Sequence, residues 1–338
     1  MKRSILLFGF FFLTISAFGQ NTLIVDNTGS APTGDHIYTN LQDAIDAAQA
    51  GDVIQVMPSP TQYGNINLNS KNNLTISGIG INPQLLGTPT AERSQVGNIV
   101  IIGSSNIVLT GFTGAILQVA NASASSTELI LDKMHITGFT IESLSNSVFR
   151  NSFINTSANS KIESPASGIQ FVNCIVTGVF PSIHNTNFTN NIIYSYNSVV
   201  SNNILNSVFR NNIIISNNQF TTNPSNSDNS VYEFNYSENP LPTSGTNAGT
   251  GNIGTLTGTL FVDSNIDFNT PWNRIWRPEL GSNNLIDAGK DGTNIGPTGG
   301  SSPYKLDSSP LPFIKDLIAP ITIKKGTDTE VTIKAKGN

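Results

Sequence analysis

The sequence predicts an all-β solenoid, in which short strands wind into stacked coils of about 20 residues closed by a cap at each end. Three observations predict it. First, a phrase F-x-N-x-[FI]-[IV] occurs four times, from Phe149 ("FRNSFI"), Phe171 ("FVNCIV"), Phe188 ("FTNNII") and Phe209 ("FRNNII"), at steps of 22, 17 and 21 residues. A weaker copy, "LDKMHI" from Leu131, precedes the first by 18 residues. Second, only 12% of the 338 residues are charged, against about a quarter in ordinary globular chains; Asn, Ser, Thr and Gly take their place and favour strands and turns. Third, the repeats carry no 3.6-residue apolar period and no L-x-x-L-x-L phrase, which excludes helical and leucine-rich solenoids.

The elements follow in order. Residues 1–19 read as a secretory signal peptide: Lys2 and Arg3, an apolar run from Ile5 to Ala17, then Ala17-Phe18-Gly19 as the cleavage site. The run is too short and wrongly flanked to span a bilayer, and no later segment is apolar enough to do so. The mature chain is therefore expected to be exported, extracellular or on the outer cell surface, without a membrane span. A parallel solenoid with its N-terminal cap is expected over 20–310. In "NLQDAIDAAQAGDVIQV", Asn40 is the expected N-cap, Leu41, Ala44, Ile45 and Ala48 share one face, and Gly51 is the expected stop. "DVIQV", "NLTISGIG" and "NIVIIGSSNIVLTGF" supply the first strands.

The repeats come next. A 20-residue coil cannot bury its own apolar face, so coils stack about 4.8 Å apart and equivalent residues form columns. Phe149, Phe171, Phe188 and Phe209 are expected to stack. Asn151, Asn173, Asn190 and Asn211 are expected to form an amide-to-amide ladder and to occupy left-handed corners. Arg150 and Arg210 vary where Phe and Asn recur, and alternation points both outward. The tail, 311–338, reads as two alternating strands around a Gly-containing turn and forms a β-rich cap.

A resemblance sharpens this reading. "LQDAIDAAQAGDVIQV" followed by "NLTISGIG" resembles the opening of right-handed parallel β-helix proteins of the pectate-lyase-like superfamily. The closing order "LFVDSNIDF", "SNNLIDAGKDGTNIGPTGG", "SPYKL" is similar to secreted β-helix proteins of Bacteroidetes-type bacteria whose role is undefined. The resemblance implies the right-handed fold. It does not imply one activity, because this fold carries lyases, hydrolases, adhesins and inert scaffolds.

The chemistry is sparse. A net charge of −5 without a basic stripe excludes a nucleic-acid binder. The lone Cys174 excludes an intrachain disulfide and reads as a small buried hydrophobe. The three histidines are scattered, which argues against zinc. The mid-chain coils are poor in acids, so no catalytic residue is favoured. If the chain is a polysaccharide lyase, as the resemblance allows, Arg150, Lys133 and Asp132 are the candidates, with His135 nearby. Asp132 and Arg150 fall in one column, so a surface ion pair is the expected role. The favoured ligand-binding residues are Trp272, Arg274, Trp276 and Arg277, because tryptophan faces stack on sugar rings and arginines bind hydroxyls. Their competing role is to plug the last coil. Asp287 and Asp291, with Asn294, form a weak calcium candidate that lacks an EF-hand's distal glutamate; no cofactor is otherwise expected. The leading expectation is a monomeric, non-catalytic protein that binds an extracellular polysaccharide or surface glycan. The alternatives are a uronate lyase and a structural, adhesin-like spacer.

Overall fold

A computed structural model describes residues 20–29, 34–81, 93–119, 124–156, 160–178, 180, 182–195, 201, 203–216, 226–262 and 279–304, with the backbone of strands Phe313–Ile318 and Thr332–Lys336. The expected signal peptide lies outside them. Each coil adds one short strand to each of two long parallel sheets, and a third, three-stranded sheet joins late coils. The chain is a right-handed parallel β-helix, the hand that strand twist imposes on parallel crossovers. In the first sheet the register runs Leu131–Phe149–Phe171–Phe188–Phe209–Tyr232. The coils therefore absorb repeat lengths from 17 residues (Phe171 to Phe188) to 23 (Phe209 to Tyr232) in their loops without losing register.

The phrase N-S-V-F-R-N-N, Asn206 to Asn212, shows what each letter does. Asn206 and Asn211 turn the two corners at φ 50° and 55°. That left-handed backbone is one asparagine tolerates better than most residues. Between the corners lies the strand Val208–Arg210, which points Phe209 into the core and Val208 and Arg210 outward. Phe149, Phe171, Phe188 and Phe209 stack with centroids 4.7, 4.8 and 4.9 Å apart, and Tyr232 continues the column at 5.2 Å.

The amide ladder is not where the repeats suggested. Asn190 and Asn211 turn the corner, and the next residues, Asn191 and Asn212, form the ladder. Asn191 donates both its backbone N–H (2.9 Å) and its Nδ2 (3.0 Å) to Asn212 Oδ1. Asn212 repeats both bonds to Asn235 Oδ1, and Asn235 to Asn252 Oδ1. The physical reason is direction. A left-handed corner aims its side chain away from the core, whereas the following residue points in, where a buried amide must find partners along the column. Ser147, Ser207 and Ser230 serve the opposite corner in the same way.

The corner amides hold something else. Residues 285–304 run back along the outside of the coils as a strap. Asn173 Nδ2 donates to the carbonyls of Pro297 and Gly299, both at 2.8 Å, and Asn190 Nδ2 to those of Asn294 and Gly296, both at 3.3 Å. Asn211 Oδ1 accepts from Lys290 N at 2.9 Å. The strap covers the outer face of the second sheet. There the column His135–Phe153–Ile175–Ile192–Ile213–Tyr236 is buried outside the main core, and its aliphatic and aromatic members pack with Leu285, Ile295 and Tyr304. Their neighbours Ile154, Val176, Ile193 and Ile214 face the coil interior. The sheet is thus buried on both faces, which is why its strands read as unbroken apolar pairs.

The N-terminal helix α1, Leu41–Ala47, buries Leu41, Ala44 and Ile45, and Asn40 Oδ1 caps it by accepting from Gln42 N. It stops before Gly51, because Ala48 is already extended and Gln49 N donates to Asp52 Oδ2 at 2.8 Å. In the tail, strands Phe313–Ile318 and Thr332–Lys336 form an antiparallel pair.

Candidate functional site

Two faces of the coils are occupied, the interior by the aromatic column and the second sheet by the strap. The outer face of the first sheet is open. Over six consecutive rungs it presents two columns of side chains. One reads Ile130, Val148, Gln170, Asn187, Val208, Val231; the other reads Asp132, Arg150, Val172, Thr189, Arg210, Glu233. Every rung is in register without a bulge, so the face is an even strip about 24 Å long, five steps of roughly 4.8 Å. Toward the N-terminal end it closes, since Ser77 and Thr110 of the second column are buried.

The strip is symmetrical in chemistry. At one end Asp132 Oδ1 meets Arg150 Nε at 3.4 Å and accepts from Asn151 Nδ2 at 3.1 Å. At the other, Glu233 Oε2 accepts from Arg210 Nε at 2.9 Å and lies 2.8 Å from both Arg210 Nη2 and Lys290 Nζ. Lys290, with Arg210 beside it, holds the Glu233 carboxyl below the usual carboxylate range, against the opposing effect of burial. Between the two ion pairs, Gln170 and Asn187 are exposed on adjacent rungs. Neither amide side chain has a hydrogen-bond partner among the described residues.

The candidates of the sequence fall in different places. Asp132 and Arg150 come together as an ion pair on the strip. Lys133 turns the corner at φ 52°. His135 leaves them for the second sheet, where it is 7% exposed and stacks on Phe153 at 5.2 Å. Burial, with Arg93 nearby, pushes its imidazole down to about 4. Cys174 is buried, donates weakly to the carbonyls of Phe149 and Val172, and has its thiol pushed up to about 12 by burial. Asp287 lies in a turn closed by its own N–H on Asn294 Oδ1 and by Gly289 N on Thr293 O. Among the described residues no three His, Cys, Asp or Glu side chains are grouped to hold a metal. Trp272, Arg274, Trp276 and Arg277 lie outside the described residues. The residues that sequence reasoning missed are Gln170 and Asn187. They sit one place before the repeated Phe, and only their register between Val148 and Val208, in the column beside that of Arg150 and Arg210, distinguishes them.

These coils define a parallel β-helix protein. No family model matches the chain, and no curated protein matches it. Among solved structures it is similar to a crystal structure of pectate lyase Pel9A, at 13% identity and a TM-score of 0.44 over 82% of this chain and 96% of that one. A likeness at that level says nothing of chemistry. No helix of the described residues is long and apolar enough to cross a membrane.

Proposed function

We propose that this is an exported β-helix protein whose first-sheet outer face binds glycan at a surface without altering it chemically. The observation that carries the reading is the pair Gln170 and Asn187, exposed and without side-chain partners among the described residues, set between aliphatic Val148, Val172 and Val208. Amide groups bond to hydroxyls, and aliphatic surface packs against the C–H faces of sugar rings. Of the basic side chains that a lyase would use, the two arginines of the strip are held by carboxylates, Arg150 by Asp132 and Arg210 by Glu233. Export rests on the leader over 1–19 and is tested by N-terminal sequencing of the secreted chain, which should begin at Gln20. The function is tested by screening the mature chain against a panel of polysaccharides for retention and, in parallel, for unsaturated sugar products. Retention without product is expected; product formation would overturn the reading in favour of a lyase.

A further inference from the structure

From the charge layout of the strip, and resting on the reading of this face as a glycan site, we infer that its ligand is an uncharged polysaccharide laid along the solenoid axis. The six rungs carry two acids, Asp132 and Glu233, and two arginines, Arg150 and Arg210, whose charges cancel, and Lys290 of the strap adds one positive charge at the Glu233 end only. Each arginine is turned toward its carboxylate along the column, Arg150 at 3.4 Å and Arg210 at 2.8 Å. An acidic chain would have to compete with carboxylates already seated against both guanidiniums. The four central positions, Gln170, Val172, Asn187 and Thr189, carry no charge at all.

The geometry also selects the direction. The apolar and amide groups succeed one another along the axis at about 4.8 Å. Across the axis each rung offers only two outward residues. An extended chain therefore meets Val148, Gln170, Asn187 and Val208 in succession only if it runs parallel to the axis.

A second copy of this protein laid antiparallel on the strip in full overlap meets it like upon like. A two-fold axis between the Val172 and Thr189 rungs would set Asp132 against Glu233 and Arg150 against Arg210. Two columns about 24 Å long offer a few hundred Å², below the roughly 800 Å² per partner of a stable protein interface.

The test is affinity electrophoresis of the mature chain in gels holding either neutral polymers (xylan, mannan, mixed-linkage β-glucan) or acidic ones (polygalacturonate, alginate). Two variants accompany it, Gln170→Ala/Asn187→Ala and Arg150→Gln/Arg210→Gln, each checked by circular dichroism for native fold. The expected result is retention by at least one neutral polymer and by no acidic one, insensitive to salt. It should weaken about tenfold in the amide variant, the loss of one or two hydrogen bonds, and by less than that in the arginine variant, whose guanidiniums already face Asp132 and Glu233. Salt-sensitive retention by acidic polymers, abolished in the arginine variant, would overturn the inference while leaving a glycan site on this face. Retention by no polymer, or retention that neither variant alters, would overturn both the inference and the reading beneath it.

Discussion

Replacing Asn212 by alanine isolates the ladder that holds the coils in register. The side chain is fully buried and makes four contacts. Its Oδ1 accepts from Asn191 N and Asn191 Nδ2, and its Nδ2 donates to Phe188 O and Asn235 Oδ1, all between 2.9 and 3.0 Å. Truncation orphans two donors of Asn191 in a corner where every neighbouring ladder residue is also buried. At about 1–3 kcal/mol per buried unsatisfied group, the loss is roughly 2–6 kcal/mol, centred near 4. At about 1.5–2 °C per kcal/mol for a chain this long, the midpoint should drop by roughly 6–8 °C. The control is Asn211→Ala. It removes one acceptor from the strap and forces alanine to φ 55°, a cost of about 1–2 kcal/mol for the backbone. Urea and thermal unfolding followed by far-ultraviolet circular dichroism measure both. A loss below about 1 kcal/mol for Asn212→Ala, or one no larger than that of Asn211→Ala, would refute the ladder as the element that fixes register.

Other outcomes follow from the strap and the buried imidazole. Glu233→Gln should speed amide exchange at Gly289 and Gly296 without loosening the sheets, for a stability loss on the order of 1 kcal/mol. Because the native carboxyl lies low, its contribution is present at neutral pH and is lost as pH falls through the native value, so exchange in the wild type alone should quicken at the acid end. Gly296→Ala would place a Cβ 2.4 Å from Ile213 Cδ1 at φ +94°, and limited proteolysis should then cut within 279–304 sooner than in the wild type. His135 stays neutral in the native state down to about 4, while the unfolded state takes its proton near 6.5. Stability should therefore fall between those values, by about 3 kcal/mol in full. His135→Phe should flatten that fall in urea titrations across the same range.

The parts of the fold that were legible are those that repeat. The Phe column was readable because Phe149, Phe171, Phe188 and Phe209 recur at one place in each coil and a stack needs identical shapes. The ladder was misplaced by one residue because the corner keeps its Asn in all four coils. The inward position instead changes from Ser152 to Cys174 to Asn191 and Asn212, all of which meet the same need by different atoms. The strap carries no period at all, being turns that pack only against a surface made elsewhere. Its trace was nevertheless present in "FI", "IV" and "II", where two successive apolar residues in a strand require cover on both faces. The strip proposed to bind glycan escaped notice because its signal lies in register across coils, and loops of unequal length separate Gln170 from Asn187 and Arg150 from Arg210.

The most direct test of the account is side-chain footprinting by hydroxyl radicals, with and without a saturating retained polysaccharide. Protection confined to Val148, Val172, Val208 and their neighbours on the six rungs is the predicted result. Protection on the strap or the third sheet instead, with the strip unchanged, would contradict it.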